Sequence, residues 1–187
     1  MSPSPHRRLA VRAPLDPVLH HLAPLGLAAA TGAPTLVVDL DPSVPGYPGR
    51  TLADLAADGP RRADLAPSRD GVAVIGHGGV DEDEAAELVP RLLASWPFAV
   101  LRLPPEAVPA DGTPVIPAHP MLPSPLDPPS DRPAAYQAHL RWSTAPGPGL
   151  LLPPPGRTAT VRMLRGMIEP RSRWVKAWAP AWRLPWP

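Results

Sequence analysis

The sequence predicts an α/β protein, a three-layer sandwich around a mostly parallel sheet. Three observations carry that prediction. Short apolar runs alternate with stretches of helical periodicity, the pattern of successive strand–helix units. The best strand candidates, TLVVDL (Thr35–Leu40) and FAVLRL (Phe98–Leu103), are nearly continuous apolar runs, as expected of strands covered on both faces. The helical stretches open on start signals: Asp16-Pro17, Thr51 with Asp54, and the acidic run Asp81–Glu84.

Taken in order, Leu9–Ala13 is a first strand interrupted by Arg12. Asp16 caps a helix with Pro17 at its first position, and Leu15, Val18, Leu19 and Leu22 form its apolar stripe. Pro24 is expected to kink or end that helix, since proline lacks the N–H the ladder needs. Thr35–Leu40 is the second strand. Thr51 and Asp54 make a capping box for a short helix through Ala57, stopped at Gly59-Pro60. Gly71–Gly76 (GVAVIG) is the third strand. Ala85, Leu88, Val89, Leu92, Leu93 and Trp96 then repeat with helical spacing, with a bend expected at Pro90. Phe98–Leu103 is the fourth strand. Further on, TPVIPAHPML and GLLLPPP suggest short strands around a helix near Ala134–Trp142. A last helix is expected over Thr158–Trp178, broken at Pro170.

A chain of 187 residues, 44% apolar and 19% charged, suits one soluble domain with a real core. Its 33 prolines concentrate between Pro104 and Pro155, which predicts an extended, loop-rich segment there. Aromatic residues make up only 5%, so the core has to come from Leu, Val, Ile and Ala. Cysteine is absent, which excludes disulfides, thiolate metal sites and cysteine nucleophiles. No apolar run is long enough to span a bilayer, and MSPSPHRRLAVRAPLDP lacks the apolar stretch of a secretory signal. A cytoplasmic location is therefore expected, with peripheral membrane attachment as the alternative. From Arg157 onward seven cations face one acid, Glu169, for a net of +6; with the whole chain at +1, the first 156 residues carry −5. The chain thus divides into an α/β domain over 1–156, with its proline-rich portion at 104–156, and a basic, tryptophan-rich helix and tail over 157–187.

Strand two ends in DLDP, Asp39–Pro42. A strand followed by DLDP resembles an element of the ParA/MinD family of deviant-Walker ATPases. The fourth strand with its following Pro104-Pro105 is similar to that family's Walker B strand. The order of elements over residues 8–105 also matches. The resemblance implies a P-loop-NTPase-like fold and, for Asp39, a part in arranging metal and water. Two departures set the chain apart. Where the family carries a glycine-rich phosphate loop with an invariant lysine, this sequence has VRAPLDPVLHH, Val11–His21, with no glycine, no lysine and two prolines. Such a loop binds phosphate through successive backbone N–H groups, which proline lacks. Arg102 stands where the Walker B aspartate belongs, and a guanidinium repels Mg²⁺ rather than ligating it. Asp39 is therefore expected to pair with Arg102 or to cap a turn.

Other motifs carry weaker chemistry. GHGGV (Gly76–Val80) resembles an oxyanion loop, but no Gly-x-Ser-x-Gly nucleophile accompanies it, so a strand-to-helix turn is expected at Gly78-Gly79. His20, His21, His77, His119 and His139 show no metal-ligand spacing, and adjacent His20 and His21 should point to different helix faces. The acids Asp81–Glu84 fit a helix N-terminus better than a calcium loop.

Trp174, Trp178, Trp182 and Trp186 recur every fourth residue among cations such as Lys176. Two readings stay open. Either they cover the domain's own apolar surface, or they meet a protein, anionic membrane or nucleic acid. The leading functional expectation is a non-catalytic pseudo-ATPase, a protein-interaction or regulatory subunit pairing with itself or with an active ParA/MinD-type or secretion ATPase. Asp39, Asp41, Arg102, Lys176 and the four tryptophans are its interaction candidates, with no catalytic residue, cofactor or metal. One alternative is an enzyme or small-ligand binder using the strand edges at Asp39, His77 and Arg102. The other is a basic-tail adaptor.

Overall fold

A computed structural model of the chain describes residues 6–43, 45–61, 66–67, 71–109, 111–120, 131–138, 144–165 and 167–186. Its strands are β1 (Arg8–Arg12), β2 (Thr35–Asp39), β3 (Val72–Ile75), β4 (Phe98–Arg102), β5 (Val115–Pro120), β6 (Ala134–Gln137) and β7 (Gly149–Leu152). They form one sheet in the order β3-β2-β4-β1-β5-β6-β7, and every neighbouring pair is parallel. The α/β fold with a parallel sheet is as the apolar runs predict.

Alternation along the strands assigns the two faces. Leu9, Val11, Val37, Val100 and Ile116 pack under helices α1 (Pro17–Ala29), α4 (Arg157–Leu164) and α5 (Arg173–Trp178). Ala10, Leu36, Val38, Ala99 and Leu101 pack against α2 (Leu52–Asp58) and α3 (Glu82–Ala94). Both faces are thereby covered, the third layer of the sandwich.

The start signals work as read. The Asp16 carboxylate accepts from the N–H groups of Val18 and Leu19, and Thr51 and Asp54 close a full capping box. Asp81 caps α3, whose first turn holds Glu82, Asp83 and Glu84. Gly78 and Gly79 turn the chain after β3, both with positive φ, and a Cβ at Gly78 would lie 2.3 Å from Thr51.

Three expectations need correcting. α1 runs through Pro24 to Ala29 rather than ending there. The lost N–H costs roughly 3 kcal/mol, but ten of its thirteen residues are buried, and at about 1.5–3 kcal/mol per large apolar side chain that burial wins. The stripe is also shifted: Leu15 and Val18 are 56% and 46% exposed, while Leu19 and Leu22 are buried. The segment expected to be helical near Ala134 contains β6, fully buried between β5 and β7; residues 139–143, including His139 and Trp142, lie outside the described residues. The C-terminal helix is broken around Pro170 as expected, into α4 and α5, and a closing 3-10 helix, Ala179–Arg183, follows.

The tail belongs to the domain core. Trp174, Trp178, Trp182 and Trp186 are all buried in the same apolar cluster as Leu9, Val11 and the α1 leucines. Gly26 of α1 makes room for them: a Cβ there would sit 2.3 Å from the Trp174 ring and 2.9 Å from Trp178 Nε1. Trp174 Nε1 donates to Gln137 of β6, and Trp182 Nε1 to the Leu27 carbonyl. Each of these two indoles thus buries its apolar body while its N–H finds an acceptor. Arg171, Arg173, Lys176 and Arg183 remain exposed on the outside.

Candidate functional site

The carboxyl ends of β2 and β4 meet beneath the first turns of α1. In the parallel register Asp39 lies beside Arg102, and parity puts both on the α1 face with Val37 and Val100. Both side chains are fully buried, with Arg102 Nε 3.3 Å from Asp39 Oδ1. The expected pair forms. Asp39 also caps the turn that follows, its Oδ1 accepting from the N–H of Asp41. Burial raises the Asp39 carboxyl to about 6, with Arg102 pulling in the opposite direction.

Arg102 is held from several sides. Its terminal nitrogens donate to the Pro45 carbonyl at 3.3 and 3.4 Å, and its guanidinium stands 5.1 Å from the Tyr47 ring centroid. His21 Nδ1 lies 3.4 Å from the same guanidinium. Burial, and then the Arg102 charge, lower the His21 imidazole to about 4, so it stays neutral and Nδ1 acts as the acceptor. Tyr47 closes the group, its ring tilted against His21 with centroids 4.5 Å apart and its hydroxyl donating to the His21 backbone carbonyl at 2.8 Å.

A second buried chain runs alongside. The Ala13 N–H donates to His20 Nδ1, which places the ring proton on Nε2, 2.8 Å from Asp41 Oδ2. Asp41 in turn accepts from the backbone and hydroxyl of Ser43. Burial lowers the His20 pKa, and the hydrogen bonds from Ser43 and His20 lower that of Asp41. The order is serine–aspartate–histidine, with the histidine acceptor already filled by a backbone N–H. A serine nucleophile needs its histidine as a neighbour, so this arrangement cannot activate Ser43.

The structure therefore brings together Asp39, Asp41 and Arg102, and adds His20, His21 and Tyr47. The two histidines do point different ways, but into one site. Tyr47 escaped the sequence reading, hidden in the turn PGYPG; a lone aromatic in a proline–glycine turn just after DLDP was the available signal. His77 sits at the neighbouring strand end, its backbone facing Asp39 while its ring accepts from the Gly79 N–H. Trp174, Trp178, Trp182 and Trp186 are far from this set in role: buried in the core, they are not presented to a partner, and of the tail candidates only Lys176 is exposed. Among the described residues no group of three or more histidines and acids is placed to hold a metal ion, and no helix is long and apolar enough to cross a membrane.

The backbone donors of the turn between β1 and α1 have acceptors within the protein itself. The Val18 and Leu19 N–H groups at the α1 N-terminus are taken by Asp16, and the Ala13 N–H by His20. A scan against protein-family models and a search of curated proteins returned no match.

Proposed function

We propose that the protein is a non-catalytic pseudo-ATPase, a degenerate relative of the ParA/MinD family that acts as a protein-interaction or regulatory subunit. One observation carries this reading. The N–H groups that would cradle a phosphate at the start of α1 donate to the internal acceptors Asp16 and His20. An incoming phosphate would have to displace a carboxylate already seated at the positive end of the helix. Beside it, Arg102 puts a buried cation where Mg²⁺ would need an oxygen ligand. A parallel sheet whose binding edge is plugged by its own side chains is a scaffold suited to presenting surface. Its partner on this reading is a second copy of the chain or an active ATPase of the same family.

The small-ligand reading at Asp39, His77 and Arg102 is weaker, since the first and last are fully buried and paired. The adaptor reading loses the aromatic half of its surface to the core.

Titration with a fluorescent ATP analogue, with and without Mg²⁺, beside a phosphate-release assay, tests the proposal. No saturable binding up to millimolar nucleotide and no release are expected. Tight Mg²⁺-dependent binding would overturn it and return Asp39 as a catalytic candidate.

A further inference from the structure

A second cleft lies on the opposite face of the sheet from the Asp39–Arg102 pair. Val11 faces α1, so its neighbour Arg12 points the other way. Arg12 pairs in register with Pro117 of β5, and His119, two residues on, shares that face. With Glu106 after β4 and Arg132 before β6, these residues enclose a cavity of about 250 Å³.

Its wall is unusual in what it can donate. Four lining residues are prolines, which have no backbone N–H. Donors must therefore come from side chains. Arg12 gives one N–H to the Pro105 carbonyl at 3.3 Å, which anchors it. That leaves most of a five-donor guanidinium without an acceptor among the described residues. Arg132 is exposed at the mouth and has no ion pair among the described residues. His119 Nδ1 is buried with no hydrogen-bond partner among the described residues. Burial and then the Arg12 charge lower the pKa of its imidazole. Glu106, exposed on the rim, is the one acid among the lining residues. Two guanidinium groups against one carboxylate leave the cleft a net single positive charge.

We propose that this cleft is a binding site for a small anion, a carboxylate or phosphate group held between Arg12 and Arg132 with His119 completing its hydrogen bonds. Arginine forks match both head groups. The volume falls below the roughly 300–1,000 Å³ of sites for drug-sized ligands, so the ligand is a compact one. The site shares no residue with the plugged edge of β2 and β4, and it stands or falls independently of the pseudo-ATPase reading.

The test follows histidine ring signals by NMR at low ionic strength while acetate or inorganic phosphate is added to the full chain. A saturable shift of His119 is expected, with His20 and His21 on the other face unmoved. Arg132→Gln, at an exposed position that the fold does not need, should weaken binding at least tenfold. Glu106→Gln should tighten it several-fold, an effect that a merely structural role would not produce. Saturation by acetate alone assigns a carboxylate, by phosphate alone a phosphoryl group, and by both a site that reads charge. A shift that never saturates, or one that is unchanged in Arg132→Gln, overturns the proposal.

Discussion

At the scale of single residues, the buried Asp39–Arg102 pair sets the clearest expectations. Removing one partner leaves an uncompensated charge at a fully buried position, at a cost of about 3–5 kcal/mol. Asp39→Leu and Arg102→Met should each show that loss in urea denaturation, while the double substitution recovers most of it. The pH dependence follows from the same group. Between its ordinary 3.8 and about 6, folded Asp39 holds a proton that the unfolded chain has released. Its contribution to stability is thus present below 3.8 and lost as pH rises through 6. His21 acts in the opposite sense: from about 4 to 6.5 the unfolded chain binds the extra proton, so stability rises with pH. Asp39→Asn removes the opposing component. Stability measured from pH 4 to 6.5 should therefore rise more steeply in that variant than in the wild type. The pair itself was legible, because the last residues of two parallel strands carry opposite charge. Its supports were not, since nothing local in PGYPG or in adjacent His20 and His21 says that they converge on Arg102.

At the scale of elements, local chemistry and tertiary context divide the prediction between them. Caps are local, so Asp16, the Thr51–Asp54 box and Asp81 could be read directly. Pro24 and β6 could not. The proline persists because the face around it is buried, and AAYQ is a strand because β5 and β7 flank it; neither fact is contained in a ten-residue window. The α1–α5 contact offers a sharp test of this context dependence. In an open helix Gly→Ala gains roughly 0.5–1 kcal/mol. At Gly26 the new Cβ would meet the Trp174 ring at 2.3 Å, and overpacking of this kind costs about 1–3 kcal/mol. Gly26→Ala should destabilise the protein in chemical denaturation and shift tryptophan emission to the red as α5 is pushed outward.

At the scale of the whole molecule, the charge division of the chain does not mark a division of structure. The basic tail turns its tryptophans inward and its cations outward, so the +6 segment is a coat over one face of the sheet rather than an appendage. Truncating a buried Trp typically costs about 3–5 kcal/mol, and four such losses reach or exceed the roughly 5–15 kcal/mol that holds a domain together. A chain ending at Pro170 should therefore lose cooperative unfolding and bind hydrophobic dyes. A truncated chain that unfolds cooperatively at the wild-type midpoint would mean that the tail is dispensable after all. This corrects the expectation from composition: aromatics are only 5% of the chain, yet the core is not built from Leu, Val, Ile and Ala alone, because four of the six tryptophans lie in it.

The hydrogen bond from the His6 N–H to the Trp182 carbonyl, with that from His6 Nε2 to the Leu184 carbonyl, ties the two ends of the described chain together. For a protein made from its N-terminus onward, this has a consequence in time. β1 sits at the centre of the sheet and cannot gain both neighbours until β4 and β5 have been made, and α1 waits longer still for Trp174 and Trp178. At roughly 5–20 residues per second, the leucine face of α1 stays uncovered on the ribosome for something on the order of ten to thirty seconds. During that interval the part of α1 that Trp174 and Trp178 later cover stays open to solvent.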